Sequence, residues 1–162
     1  MVFECSLYGS VTEINSMYRD EYDYRCYERI EHIYNRKSDY MYIYEQQEEI
    51  FIIQYSAIDK NRQRKCLVMK IQKVKTDTSI FTFLEKNGFI RHTTRRTNIT
   101  EFKINGYIVE FDSNLDNINN LILVKAYCIV IEPTDGEKIL STVFKDIGIK
   151  MIFDVNIFMK YL

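Results

Sequence analysis

The 162-residue chain has no tryptophan, one proline, five glycines and two histidines, and each shortage removes a class of reading. With so little proline and glycine it is neither a linker nor a low-complexity segment. Its four cysteines, Cys5, Cys26, Cys66 and Cys128, include no Cys-x-x-Cys pair, and His32 and His92 are the only imidazoles. A zinc site is therefore short of ligands, no metal or other cofactor is expected, and the thiols should be reduced and pack as small hydrophobes inside a cell. No charged, apolar, small-residue leader opens the sequence. The longest apolar run, Leu121 to Ile131, is interrupted by Lys125 and is too short to span a bilayer, so no membrane role is expected. Lysine and arginine total 22 against 23 acidic residues, a net charge of -1. Without a field that recruits polyanions, sequence-specific nucleic acid is not an expected partner. Phosphate loops, dinucleotide fingerprints and nucleophile elbows are also missing, which leaves no familiar catalytic signature.

What the chain has is 46% hydrophobic and 14% aromatic residues, enough for the core of a single domain spanning residues 1–162. The most legible stretch runs from Ser79 to Asp112. Ile80, Phe83 and Leu84 share one helical face, and Gly88 supplies the left-handed residue that ends a helix without a Cβ clash. Beyond it the period becomes two. Asn105-Gly106 suits a two-residue type I′ turn, because both residues tolerate positive φ. Folding about that turn sets Ile104 opposite Tyr107, Phe102 opposite Val109 and Thr100 opposite Phe111, a mainly apolar face. Glu101, Lys103, Glu110 and Asp112 occupy the other.

Elsewhere, Val2 to Tyr8 alternates like a strand that Gly9-Ser10 ends, with Phe3, Cys5 and Leu7 on one side. Apolar positions from Ile14 to Tyr34 recur mostly every three or four residues, which predicts a long helix over Thr12 to Lys37. Strands are predicted at Tyr40–Tyr44, Ile50–Ile58, Cys66–Val74, Phe89–Arg95, Ile99–Ile104, Tyr107–Asp112 and Leu121–Glu132, with a short helix over Ile80–Asn87. After Pro133, Thr134-x-x-Glu137 reads as a capping box, and Ile139, Leu140, Val143, Phe144 and Ile147 form a stripe that Gly148 closes. A last strand over Ile149 to Ile157 follows. So many antiparallel strands in a small domain favour closure, because closure removes sticky edges. The expected fold is mainly β: a closed antiparallel barrel of about eight strands with a long N-terminal helix, a short middle helix and a C-terminal helix. Its lumen is expected to be oily.

Two features bear on function. Glu101 opposite Glu110, with Asp112 beyond, is an acidic group that would hold a divalent cation if it faced a barrel interior, as in a tunnel enzyme hydrolysing triphosphates. The competing reading is a solvent-facing pair relieved diagonally by Lys103, and this is the one adopted. The basic cluster Arg91, His92, Arg95 and Arg96 has no interleaved aromatics and reads as a solvated strand end. Tyrosine is the second feature. Eight of the thirteen tyrosines lie between Tyr18 and Tyr44. Tyr40, Tyr42 and Tyr44 share a strand face, and with Tyr18 and Tyr22 they are candidates either for packing against the long helix or for a protein interface.

The order of elements resembles subunit 18 of the Mediator complex, which couples transcription regulators to RNA polymerase II. The phrases that carry the resemblance are Leu7-Tyr8-Gly9-Ser10-Val11 and Phe83-Leu84-Glu85-Lys86-Asn87-Gly88-Phe89, followed by the hairpin, the apolar strand Leu123 to Ile131 and the C-terminal helix. The resemblance implies a closed barrel with flanking helices, a non-catalytic role in the nucleus, and assembly in the Mediator head with subunit 20, a similar barrel, and a helix from the C-terminus of subunit 8. Such barrels share architecture with RNA 5′-triphosphatases, and a metal-dependent triphosphatase is the alternative reading.

Overall fold

The computed structural model describes residues 1–59, 61, 63–114 and 120–153. Eight strands close into a barrel: β1 (Phe3–Val11), β2 (Asp23–Arg36), β3 (Asp39–Gln46), β4 (Glu49–Ile58), β5 (Leu67–Thr76), β6 (Ile90–Ile104), β7 (Tyr107–Asn114) and β8 (Ile122–Val130). Around the ring they run β1-β5-β4-β3-β2-β6-β7-β8, every pairing antiparallel, with β8 returning to β1 from Phe3↔Val130 to Val11↔Ile122. Among the described residues, four short helices lie outside the ring: α1 (Tyr18–Glu21), α2 (Ser79–Lys86), α3 (Pro133–Leu140) and α4 (Val143–Ile147).

The hairpin forms as its residues dictate. Asn105 and Gly106 take φ of 41° and 87°, and β6 meets β7 in the expected register, Ile104↔Tyr107, Phe102↔Val109 and Thr100↔Phe111. Gly88 has φ 82° and closes α2, with the Phe89 amide donating to the Leu84 carbonyl.

The facing of the hairpin is the reverse of the expected one. Phe102, Ile104, Tyr107, Val109 and Phe111 lie on the outside of the barrel, beneath Tyr18 of α1, Leu140 of α3 and Val143 and Ile147 of α4, and Cys5, Val124 and Ala126 complete that layer. A second outer layer seats Ile80 and Leu84 of α2 on Tyr34 and Ile43. The main core thus lies between barrel and helices. Inside the ring, smaller apolar clusters form around Ile33, Tyr42, Ile53 and Ile71 and around Tyr8, Leu67 and Met69.

The long N-terminal helix is not there. Its span holds the four-residue α1 and the fourteen-residue β2, which pairs with β6 from Asp23↔Lys103 to Asn35↔Ile90 and with β3 from Arg29↔Gln46 to Arg36↔Asp39. Apolar residues at three- and four-residue spacing also satisfy a strand when both faces are buried, and tyrosine, isoleucine and cysteine suit the pleated surface. The strands expected at 89–95 and 99–104 are one continuous β6, with a bulge where Ile33↔Thr93 gives way to Tyr34↔Arg91. β1 runs on through Gly9 and Ser10. The C-terminal helix is broken after Leu140 into α3 and α4, which turns Phe144 outward at 65% exposure. Glu132 with extended backbone is the N-cap, and no side chain caps α3; Glu137 instead pairs with Arg64 at 2.5 Å. The final strand is represented by a single bridge, Tyr8↔Ile152, and positions 154–157 lie outside the described residues.

Candidate functional site: the barrel lumen

The lumen encloses a cavity of about 330 Å³. Its walls are polar because the residues alternating with the outer apolar layer must point inward. Among the described residues, five carboxylates, Glu4, Glu31, Glu101, Glu110 and Asp112, face five cations, Arg25, Arg29, Lys73, Arg95 and Lys125. The oily lumen expected from sequence is therefore corrected. So is the solvent-facing placement of the acidic hairpin face: Glu101 is 3% exposed and Glu110 7%.

Most of these charges are paired across strands. Arg29 donates from Nη2 and Nη1 to both Glu110 oxygens at 2.9 and 3.3 Å, donates from Nε to Gln46 at 2.9 Å, and lies 4.5 Å above the Tyr44 ring. Arg25 donates to Glu101 at 2.9 Å, and the Tyr27 hydroxyl donates to the other Glu101 oxygen at 2.9 Å. Lys125 holds Glu4 at 2.6 Å, with Tyr55 donating to the second oxygen at 3.3 Å. Arg95 serves two acids, Asp112 at 2.8 Å and Glu31 at 3.8 Å. Arg95 is thus a lumen residue, not part of a solvated strand end.

Burial alone would push Glu110 up, but the Arg29 guanidinium, helped by Lys125 and Lys73, outweighs it and holds the carboxyl below its usual value. For Lys125, burial opposes the charge, yet Glu4 and the facing tyrosines raise the ammonium well above its usual value. Asp112 goes the other way: burial raises it more than Arg95 lowers it, and its Oδ1 has no hydrogen-bond partner. Lys73 keeps an exposed side chain, and partial desolvation with the neighbouring Arg29 charge lowers its ammonium. Among the described residues it has no carboxylate at ion-pair distance, and its ammonium rests 4.4 Å from the Phe51 ring centre.

The five candidate tyrosines fall in different places. Tyr18 is buried under α4, donating to the Ile147 carbonyl and packed edge-on against Phe102. Tyr22 is half-buried beside it, its hydroxyl 3.4 Å from the Asp146 carbonyl. Tyr42 and Tyr44 line the lumen, and Tyr40 is 39% exposed at the end of the same face.

Sequence reading missed Arg25, Arg29, Glu31, Lys73 and Lys125 as members of one site. The usable signal was the alternation Arg25-x-Tyr27-x-Arg29-x-Glu31, which a helical assignment for that span conceals. It also missed that Cys5, Cys66 and Cys128, far apart in sequence, gather in the outer layer beneath α3. No group of three histidine, cysteine or acidic residues among the described residues is arranged to hold a metal ion. Glu101, Glu110 and Asp112 share a wall, but each is engaged by a guanidinium, which a cation would have to displace.

No protein-family model matches the chain, and no curated protein matches it. Solved structures do share the fold. A chain of the Schizosaccharomyces pombe Mediator head module superposes with a TM-score of 0.79 at 14% identity, covering 94% of this chain and 98% of that one. A Hippeastrum protein, provisionally named an adenylyl cyclase and described as having a dominant triphosphatase activity, gives 0.63 at 11% identity, over 95% and 91% of the two chains. A Vibrio parahaemolyticus protein provisionally named an adenylate cyclase gives 0.68 at 11%, over 91% and 90%. At these identities the likeness is one of fold, common to a transcription-complex subunit and to cyclase- or triphosphatase-like barrels.

Proposed function

We propose that the chain is a non-catalytic interaction subunit of a Mediator-type transcription coactivator, placed in the head module and acting in the nucleus. Its partners are a related barrel subunit and a helix of a third subunit, and through them RNA polymerase II transcription. The observation that carries this reading is the internal pairing of the lumen. Each carboxylate that could ligate a catalytic cation is held by an arginine or lysine of the same barrel, so the acids act as wall ties. Displacing a guanidinium from a buried carboxylate would leave an uncompensated charge, at a cost of about 3–5 kcal/mol. The likeness over nearly the full length of a Mediator head chain supports the same reading.

Tyr40 and Tyr22 keep enough exposure to serve as contact residues, and Phe83 and Ile90, 60% and 71% exposed on and just after α2, offer apolar surface. Co-expression with the head-module barrel and helix subunits tests the proposal. Co-purification as a stoichiometric complex is expected, and a monomer that ignores both subunits would overturn it.

The unpartnered Asp112 Oδ1, and the lysines and arginines that share the lumen with the acids, favour a second reading, a metal-dependent triphosphatase using Glu101, Glu110 and Asp112. Release of phosphate from a triphosphate with manganese or magnesium, abolished in Glu110→Ala, would establish it. Inertness under those conditions would remove it.

A further inference from the structure

The lumen charges balance in number but not in place. Arg25 with Glu101, Arg29 with Glu110 and Lys125 with Glu4 are one-to-one pairs. What remains is Lys73 on β5, with no ion-pair partner among the described residues, and a trio of Glu31 on β2, Arg95 on β6 and Asp112 on β7. In a ring ordered β1-β5-β4-β3-β2-β6-β7-β8, β6 lies four strands from β5 in either direction. One wall of the cavity therefore carries an unmatched positive charge, and the opposite wall carries two carboxylates around a single guanidinium.

We propose that the lumen is a binding site for a small zwitterion, whose single anionic group meets Lys73 and whose ammonium group meets Asp112 and Glu31 across the cavity. A volume of about 330 Å³ suits a molecule of a few heavy atoms to amino-acid size. Tyr27, Tyr44, Tyr55 and Tyr127 on the walls supply apolar faces for its body. The free Asp112 Oδ1 gives the ammonium an acceptor that no protein donor occupies. A dianion would leave one carboxylate facing Asp112 and Glu31, and a diamine would leave one ammonium facing Lys73, so charge placement selects against both. The ligand needs no divalent cation, and the inference is independent of assembly with other subunits.

The test is calorimetric titration of the purified chain, followed by NMR shifts of the tyrosine rings, with γ-aminobutyrate and glycylglycine as zwitterions, succinate, putrescine, and tripolyphosphate with magnesium. The zwitterions should bind at least about tenfold more tightly than succinate or putrescine, the worth of one charged hydrogen bond. Lys73→Met should abolish the preference over putrescine, and Asp112→Asn the preference over succinate, while melts confirm that both variants stay folded. Absence of binding by either zwitterion, or a ranking that neither variant changes, would overturn the proposal.

Discussion

Arg29 and Glu110 carry the largest single consequence of putting charge inside a barrel. Arg29 is bidentate on Glu110, and both are buried, so the pair is stable as a pair and costly to split. Arg29→Met should destabilise by about 3–5 kcal/mol at neutral pH, measured by urea unfolding. The pH dependence has a definite sign. In the wild type the Glu110 carboxyl is held below its ordinary 4.5, so its contribution is present above that value and lost as pH falls through the lowered one. In Arg29→Met burial acts unopposed by that guanidinium and raises the carboxyl. The variant should then recover stability as pH falls through the raised value toward 4.5, a window in which the wild-type Glu110 contribution is still intact. A deficit that stayed constant with pH would mean that lost packing, rather than the stranded carboxylate, is responsible.

Among elements, α3 is the one whose seating depends on a single residue. A Cβ added at Gly136 would lie 2.3 Å from Cys5 Sγ and 2.7 Å from Cys5 Cβ, so α3 touches β1 backbone-close. Gly136→Ala should cost about 1–3 kcal/mol by overpacking, and Cys5→Ala in the same molecule should restore part of it in a double-mutant cycle. Leu140, 3% exposed, closes the same layer, and Leu140→Ala should cost about 2–5 kcal/mol. Phe144→Ala should change stability by less than about 0.5 kcal/mol, because the break after Leu140 turns that ring to solvent. Denaturant melts of the three variants check the ordering. The helical stripe at 139–147 was legible from period alone, but the break was not, since it is set by how α3 and α4 fit the curved barrel wall. β2 was the opposite case. Its apolar spacing matched a helix, and only its partners on β3 and β6 make it a strand.

For the whole molecule, closure means that β1 has neighbours on both sides and no strand is an edge along its full length. Amide exchange should accordingly be slow in all eight strands, with the fastest strand amides at the bulges near Thr93 and Ser56, where register shifts break the ladder. Loss of protection in β1 and β8 together, ahead of the other strands, would place an opening seam between them and contradict a stable closed ring. Closure also converts a local alternation into a global partition. The charged residues of β1, β2, β5, β6, β7 and β8 meet in one lumen, so Glu4, Arg29, Arg95 and Lys125, from four strands, line the same cavity.

The sequence by itself determined the local geometry: the type I′ turn at Asn105-Gly106, the stop at Gly88, the pairing of β6 with β7, and enough antiparallel strands that a barrel follows. These depend on φ preferences and side-chain period, which act over a few residues. Which face of each strand looks inward was decided by the tertiary structure. Alternation separates two faces but does not label them, and the label comes from where the helices pack. Here they cover the apolar side from outside, so the charged side is enclosed and must neutralise itself.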